Sequence, residues 1–334
     1  MRGVTNNFQQ GESAMKSDRH SSFVIRHFRE LSVAAALGVM LLLLAIFAPN
    51  FFQPQPLLSR LTAAAPKLVL ACGVALVIIA RQIDISIGSL FAVCGTCAGL
   101  VAASGLPWPV AMLAPIVGGA LGGALNGVLV AGLRLPSIVV TLATLVTMRE
   151  ALRLEQQGVF INLPDGAQWF GLPMTAGQFT VCGVAFGLLV LMAFAMKHLS
   201  AGRFVYAVGS DAEAARLAGI RPQLTTFLVF VFMGVLTGLA AVLNMVQSPQ
   251  VDPNSGRGLE LEAIAAAVVG GVAVSGGRGR LWGVLAGLLL LVCMGPALTY
   301  IGVKPYWEKA IQGAIILLAV VADGLRGRKG ANLG

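Results

Sequence analysis

Long apolar stretches divide the chain into membrane-sized segments, which short polar or glycine- and proline-containing connections separate. A helix needs about 20 apolar residues to cross a bilayer. The stretches do not alternate apolar and polar residues, as the strands of a transmembrane barrel do. The pattern therefore predicts an all-α, polytopic transmembrane bundle of about ten segments: 31–49, 62–80, 88–104, 109–131, 136–150, 177–196, 223–246, 259–274, 281–298 and 307–324. The fifth and eighth segments are short, so we expect tilted, broken or re-entrant helices there.

Lysine and arginine favour one side of this bundle. With the N-terminus in the cytoplasm and ten alternating spans, 16 of the 23 Lys and Arg residues lie inside and 7 outside. Because positive charge concentrates in cytoplasmic loops, we expect both termini inside the cell. The predicted organisation is a basic cytoplasmic tail at 1–30, a transmembrane domain at 31–325 and a second cytoplasmic tail at 326–334. The loops 150–176 and 247–258 then face outside.

The composition agrees with a membrane protein. Hydrophobic residues make up 57% of the chain and charged residues 11%, whereas soluble proteins carry about 25% charged residues. The net charge of +9 does not indicate a nucleic-acid partner, because the basic residues lie between the spans. All five cysteines lie in apolar segments, which favours no disulfide framework. We expect contact with membrane lipid and none with nucleic acid.

Glycines are spaced for close contact between helices. Two sets recur every four residues: Gly119, Gly123 and Gly127, and Gly279, Gly283 and Gly287. Small residues let helix backbones approach each other in lipid. These glycines predict tight packing and carry no chemistry.

A short charged helix is predicted at 210–219, between two apolar spans and on the cytoplasmic side. Ser210 and Glu213 match a capping box, in which the serine caps the helix start and the glutamate reaches back. Asp211 suits the positive end of the helix dipole, and Gly219 suits a left-handed C-terminal cap. A helix of about two turns is marginal in water. It is therefore either a loop helix held by the bundle or an element that docks into a partner protein.

Four segments together carry a family pattern: IDISIGSLFAV at 83–93, NGVLVAGLRLPSIVVTLATL at 126–145, AGRFVYAVGSDAEAARLAGI at 201–220 and GLELEAIAAAVVGGVAVSGGRG at 258–279. In this order they resemble the permease subunits of bacterial ATP-binding-cassette sugar importers of the ribose, arabinose and xylose type. The similarity covers most of the chain from about residue 30 to 325.

The resemblance implies a permease that forms the route for a monosaccharide across the bacterial inner membrane. It also implies a periplasmic sugar-binding protein, a second permease subunit (a homodimer or a heterodimer) and a separate cytoplasmic ATPase. The chain contains no Gly-Lys pair and therefore no phosphate-binding loop, so we expect no enzyme activity, no cofactor and no metal, with ATP bound by the partner subunit. The helix at 210–219 would be the coupling helix. The residues expected to meet the ATPase are Ser210, Asp211, Glu213, Ala214, Ala215, Arg216, Leu217 and Gly219.

The sequence also departs from the family pattern. Arg81 and Gln82 stand where ribose-type members usually carry two glycines, Ser137 replaces a proline, and Glu150 stands where many relatives have glycine. The change at 81–82 is similar to branches that handle rhamnose or autoinducer-2. We favour rhamnose, with autoinducer-2 or another pentose or hexose as the alternative.

Polar residues inside the apolar spans are the candidates for the translocation pathway: Asp84, Ser86, Asn126, Thr141, Thr144 and Asn244. Such hydroxyls and amides also bond across helices. Asp84 is a functional candidate because charge at membrane depth is costly, but it could also cap the third segment. Glu260 and Glu262 open the eighth segment, where the helix dipole favours carboxylates; contact with the binding protein is the alternative.

Two other interpretations carry less support. An ion-coupled secondary transporter usually places ionisable residues deep in its spans, and the predicted spans are nearly free of them. Such a carrier also has no use for a capped cytoplasmic helix. Cys94 and Cys97 form a C-x-x-C motif, but it lies in an apolar span far from the three histidines, which indicates packing rather than redox or metal chemistry.

Overall fold

The computed structural model describes residues 32–300, 302, 307, 309–314, 317 and 321. The predicted tails at 1–30 and 326–334 lie outside these residues. Helices form most of the described chain: α1 (Ser32–Phe47), α2 (Pro54–Ile79), α3 (Ile87–Ala103), α4 (Trp108–Gly127), α5 (Ser137–Gln156), α6 (Met174–His198), α7 (Ser200–Ser210), α8 (Ala212–Leu217), α9 (Pro222–Met245), α10 (Leu259–Val269) and α11 (Leu281–Tyr300). A π-helical turn, Val128–Gly132, extends α4. Two-residue strands β1 (Ile161–Asn162) and β2 (Gln250–Val251) pair antiparallel.

The helices follow the predicted segments in order. Within the described residues, five are long and apolar enough to cross a membrane: α2, α4 with its π turn, α6, α9 and α11. Helices α1 and α3 are apolar but shorter. In the predicted tenth segment, the described residues 307, 309–314, 317 and 321 are helical. The polytopic helical bundle is therefore confirmed.

The two short segments differ from each other in the structure. Helix α10 has 11 residues and spans only about 16 Å at 1.5 Å per residue, which is too short to cross a bilayer. Helix α5 instead has 20 residues and continues to Gln156, beyond the predicted end at 150. A further difference is α7, an 11-residue helix where only a polar connection to the coupling helix was expected.

Helix α2 lies at the centre of the bundle. Most of its residues from Ala64 to Ile79 are buried, and it packs against α6, α9, α10 and α11. Helix α4 lies at the periphery, and every fourth residue along its outer side is an exposed aliphatic: Leu113, Val117, Leu121 and Leu125. This uninterrupted apolar stripe suits contact with lipid.

Five of the six predicted glycines lie in close contact between helices, whereas Gly279 lies in the loop before α11 and packs against Val272. Gly119 and Gly123 of α4 lie against Gly234 of α9, so closely that neither helix has room for a Cβ at these positions. Gly283 and Gly287 of α11 lie against Gly270, which follows α10. Backbones in direct contact gain van der Waals energy that bulkier side chains would prevent.

Candidate functional site

Asp211 caps the short helix α8. Its Oδ1 accepts hydrogen bonds from the backbone N–H groups of Glu213 (2.9 Å) and Ala214 (3.0 Å). The backbone of Asp211 is extended, at φ −157° and ψ 109°, as an N-cap requires. The predicted capping box of Ser210 and Glu213 is therefore wrong. Ser210 is the last residue of α7, and the next residue supplies the acceptor from the extended position between the two helices.

The C-terminal end of α8 is capped at Gly219, as predicted. Gly219 has φ +84°, in the left-handed region. Its N–H donates to the Arg216 carbonyl (3.0 Å), and the Ile220 N–H donates to the Ala215 carbonyl (3.0 Å). These two bonds form a Schellman motif, which satisfies carbonyls that would otherwise lack partners. The helix thus has hydrogen-bonded caps at both ends.

Almost all side chains of α8 are exposed to solvent. Of the predicted coupling residues only Ala215 is buried, and Leu217 is 77% exposed. Arg216 Nη2 lies 2.6 Å from Glu213 Oε1. Hydrogen bonding from Arg216 lowers the pKa of the Glu213 carboxyl. The ion pair therefore stabilises the folded helix fully above the pKa that this carboxyl has in the unfolded chain. This stabilisation is lost as the pH falls through the lowered pKa of the folded state. An exposed leucine beside charged groups, on a helix this short, indicates a surface available to a partner.

The residues just before α8 join three parts of the bundle. The Gly277 N–H, in the loop between α10 and α11, donates to the carbonyl of Ile79 at the end of α2 (2.8 Å). Gly209, at the end of α7, packs on the same carbonyl without room for a Cβ. The Tyr206 hydroxyl donates to the Gly279 carbonyl (2.7 Å). We call this contact region of α2, α7 and the 270–280 loop the glycine junction. It packs the end of α7, which leads into α8, directly against the end of the central helix α2.

Arg81 lies two residues after the end of α2 and has an unusual backbone conformation. Its φ of +61° lies in the left-handed region that favours glycine, which costs a residue with a Cβ about 1–2 kcal/mol. The resemblance places a glycine here in ribose-type relatives, so the conformation explains the residue type in that pattern. In this chain an exposed arginine occupies the strained position.

A buried polar network occupies the unwound segment between α2 and α3. Asp84 Oδ1 accepts hydrogen bonds from the Ser86 N–H (2.9 Å) and the Ser86 hydroxyl (2.6 Å). Asn126 Nδ2 on α4 donates to the Ser86 hydroxyl oxygen (2.8 Å), while the buried Asn126 Oδ1 has no hydrogen-bond partner among the residues that the structure describes. Asp84, Ser86 and Asn126 are each at most 3% exposed. The contacts of Asp84 are those of an Asx turn that leads into α3.

The unwound segment between α2 and α3 is also hydrogen-bonded to the start of α5. The Ile83 N–H donates to the Ser137 hydroxyl (3.2 Å). The Thr141 hydroxyl donates to the Ser137 carbonyl (2.8 Å) and lies 3.4 Å from the Ile83 carbonyl. Thr144 bonds to the Thr141 carbonyl (3.2 Å). Asn244 is exposed near the end of α9, and none of the hydrogen bonds described for this group involves it. The structure thus gathers five of the six predicted pathway residues and leaves Asn244 outside.

Two acidic residues of α10 have different surroundings. Glu260 Oε1 accepts a hydrogen bond from the Gly258 N–H (3.2 Å), and its buried Oε2 has no hydrogen-bond partner and packs against Gly88 in the first turn of α3. Its carboxylate therefore lies beside the positive ends of two helix dipoles. Glu262 forms an ion pair with Lys67 of α2, at 2.6 Å between Oε2 and Nζ. Sequence reasoning missed this pair, although Lys67 was a charge inside a predicted span.

The C-x-x-C motif lies in the interior of α3, where Cys94 is buried and Cys97 half-buried. Among the residues that the structure describes, no three His, Cys, Asp or Glu side chains are grouped as metal ligands.

Comparison with known proteins identifies the family. Residues 57–320 match a family model described as "Branched-chain amino acid transport system / permease component". The chain belongs to this permease family. The permease is 33% identical to the ribose import permease protein RbsC of Escherichia coli K12 over 294 residues, which are 86% of this chain and 91% of the relative. It is 36% identical to the autoinducer 2 import system permease protein LsrC of Enterobacter sp. strain 638 over 298 residues, 89% and 87% of the two chains. No solved structure matches it.

These matches confirm the resemblance that the four sequence segments indicated, namely to permeases of ATP-binding-cassette importers of the ribose and autoinducer-2 type. Together with the apolar helices they confirm a multi-pass protein of the inner membrane. Permease components form the membrane part of a transporter and are not themselves enzymes, in agreement with the prediction.

Proposed function

We propose that this permease carries a monosaccharide, rhamnose-like in preference to ribose, from a periplasmic binding protein across the membrane. A separate cytoplasmic ATPase drives the transfer through α8, and a second permease subunit, identical or paralogous, completes the route. The coupling residues are those of the capped segment from Ser210 to Gly219. The pathway candidates are the polar groups around the unwound segment 80–86.

The exposed, doubly capped α8 is the observation that carries this proposal. Movement of a partner can shift the bundle only through contacts that differ between two states, and a flexible loop would transmit little of it. Asp211 and Gly219 stiffen the helix, and the glycine junction ties it to the end of α2. A rigid surface element joined to the central helix is the geometry that coupling needs.

The preference for a rhamnose-like sugar rests on the segment after α2. Arg81 retains a strained backbone where ribose-type relatives have glycine, and strain held by a structure points to a use for the side chain. The alternative, autoinducer-2 or another pentose or hexose, is supported by the identity to the autoinducer 2 import permease.

Reconstitution in vesicles tests the proposal. The chain is assembled with an ATPase and a sugar-binding protein from the same genome, and uptake of labelled L-rhamnose, D-ribose and autoinducer-2 is compared. We expect uptake only with all components and ATP, and the fastest uptake for L-rhamnose. Faster uptake of D-ribose or autoinducer-2 would reject the substrate preference and leave the coupling proposal standing.

The same vesicles separate an ATP-driven importer from an ion-coupled carrier. The Lys67–Glu262 pair favours the carrier, because ionisable groups deep in the spans can bind coupling ions. Uptake by the chain alone, driven by an imposed proton or sodium gradient, would refute the proposed ATPase coupling.

A further inference from the structure

The ion pair of Lys67 and Glu262 lies at the middle of the bundle. Lys67 is the fourteenth of the 26 residues of α2, so about 18–20 Å of helix separates it from either end at 1.5 Å per residue. Glu262 belongs to the first turn of the short helix α10. Because the hydrocarbon core of a bilayer is about 30 Å thick, the pair lies near the mid-plane whichever way the chain is oriented.

The pair opens into a cavity. The side chains of Lys67 and Glu262 are 36% and 26% exposed, and they line a cavity of about 170 Å³ between α2, α10 and α11. Arg60, two turns earlier on the same side of α2, and Gln312 add polar groups to its wall. The Arg60 guanidinium is held in place by a hydrogen bond to the Phe51 carbonyl (3.1 Å). Aliphatic side chains, mostly of α11, form the rest.

Exposed charges at this depth indicate that lipid does not cover this face. Ionisable side chains within spans face a bundle interior or a water-filled cavity, because hydrocarbon offers them neither hydrogen bonds nor screening. The outer face of α4 shows the contrast, since its exposed residues Leu113, Val117, Leu121 and Leu125 are all aliphatic. The cavity is also large enough for water, which needs only about 10–15 Å³ per molecule. A water-filled cavity on the face of α2, α10 and α11 would satisfy these charges.

We propose that this cavity is a subsite for a neutral, polyhydroxylated solute in transit, which rests on the proposed function and adds a location to it. A sugar hydroxyl both donates and accepts hydrogen bonds; Lys67 and Arg60 supply donors, Glu262 supplies acceptors and Gln312 supplies both. The aliphatic wall suits the apolar face of a sugar ring. Because α2 also ends at the glycine junction, displacement of the docking segment reaches this subsite through one continuous helix.

Thiol labelling of the assembled, reconstituted complex tests the subsite. A cysteine at Lys67→Cys is exposed to a charged, membrane-impermeant methanethiosulfonate, with and without a high concentration of L-rhamnose or D-ribose. The matched control is Leu121→Cys, whose parent side chain is 67% exposed at a similar depth in the apolar stripe of α4. The wild-type complex gives the background from the native cysteines. If Lys67→Cys fails to reach the membrane, Glu262→Cys places the thiol in the same cavity.

We expect labelling of the cavity thiol at least about tenfold faster than of the α4 thiol, because only the cavity is wet, and we expect either sugar to slow it. A cavity thiol as unreactive as the control would overturn the proposal, and a disulfide between two cavity thiols would show that a second copy covers the face instead. Labelling that neither sugar changes would also overturn it, since the cavity would then hold water alone.

A transport measurement adds an independent readout. Glu262→Gln, which keeps the size but removes the charge, should lower sugar import while the assembled complex still hydrolyses ATP. Arg153→Gln is the control, because it breaks the exposed Glu150–Arg153 pair, which is 3.0 Å long and outside the cavity. Import by Glu262→Gln at the rate of the control would overturn the subsite. A wild-type complex that imports no sugar would refute the proposed function, whereas the labelling result does not depend on transport.

Discussion

Asp84 shows how a single buried carboxylate can hold an unwound segment inside a membrane protein. Buried backbone that is not helical needs other partners for its polar groups, and Asp84 supplies an acceptor for both the N–H and the hydroxyl of Ser86. Asn126 then connects the same hydroxyl to α4. Loss of the carboxylate would leave two buried donors without an acceptor.

Asp84→Ala should therefore destabilise the permease. Each orphaned donor costs about 1–3 kcal/mol, so we expect a fall of roughly 5–10 °C in the thermal midpoint of the purified chain. The matched control is Asp252→Ala, which removes a similar carboxylate bond to the Asn254 N–H in a half-buried loop and should cost less. Equal falls in the thermal midpoint for the two substitutions would show that burial does not make the Asp84 hydrogen bonds more stabilising than those of a half-buried loop.

Gly209 gives a second test at the scale of one residue. A methyl group there would meet the Ile79 carbonyl, and backbone cannot give way as a flexible side chain can. Overpacking of this kind typically costs about 1–3 kcal/mol. Gly209→Ala should reduce thermal stability and ATP-driven uptake, whereas Gly183→Ala in α6, which has nothing within 4 Å of its Cβ, should be neutral or slightly stabilising. A Gly209→Ala protein that is as stable and active as Gly183→Ala would contradict the claim that close packing at the glycine junction is needed for stability and uptake.

At the scale of the element, α8 depends on its caps because it has only six residues. Most helical stability in proteins comes from packing, and in this helix only Ala215 is buried. The N-terminal cap and the Schellman motif therefore have to define the helix in the absence of a partner.

Asp211→Ala should uncouple transport more strongly than Ser210→Ala, because only the Asp211 side chain caps α8. Loss of an N-cap costs about 0.5–2 kcal/mol, which is large for an isolated six-residue helix. We expect less sugar imported per ATP hydrolysed in the reconstituted complex, with partial rescue by Asp211→Asn, which keeps an oxygen acceptor. A larger loss of import per ATP in Ser210→Ala than in Asp211→Ala would instead support the capping box of Ser210 and Glu213 that the sequence predicted.

The helical segments and the short helix α8 were predictable because apolar length and terminal signals are local properties. The cap was misassigned by one residue because Ser210 and Asp211 are both good caps, and only the preceding helix α7 decides between them. The Lys67–Glu262 pair was not predictable, since it joins residues 195 positions apart on different helices. The strained Arg81 was visible only as a departure from a glycine pattern, and its φ gave that departure a physical meaning.

At the scale of the whole molecule, one helix connects the proposed working parts. The end of α2 contacts the end of α7, which leads into α8, at the glycine junction, and the middle of α2 carries Lys67 in the cavity. If α8 is the coupling helix, as proposed, motion delivered there would reach the proposed subsite along α2 rather than through a flexible linker. This connection requires α8 to face the cytoplasm, which the distribution of Lys and Arg predicts.

The side of the membrane on which α8 lies is the most direct test. Leu217→Cys places a thiol at a position that is 77% exposed, and an impermeant thiol reagent is applied to right-side-out and inside-out vesicles, with and without the ATPase subunit. The account predicts labelling only in inside-out vesicles, and protection when the ATPase is bound. Labelling from the outer side, or no labelling from either side in the absence of the ATPase, would contradict it.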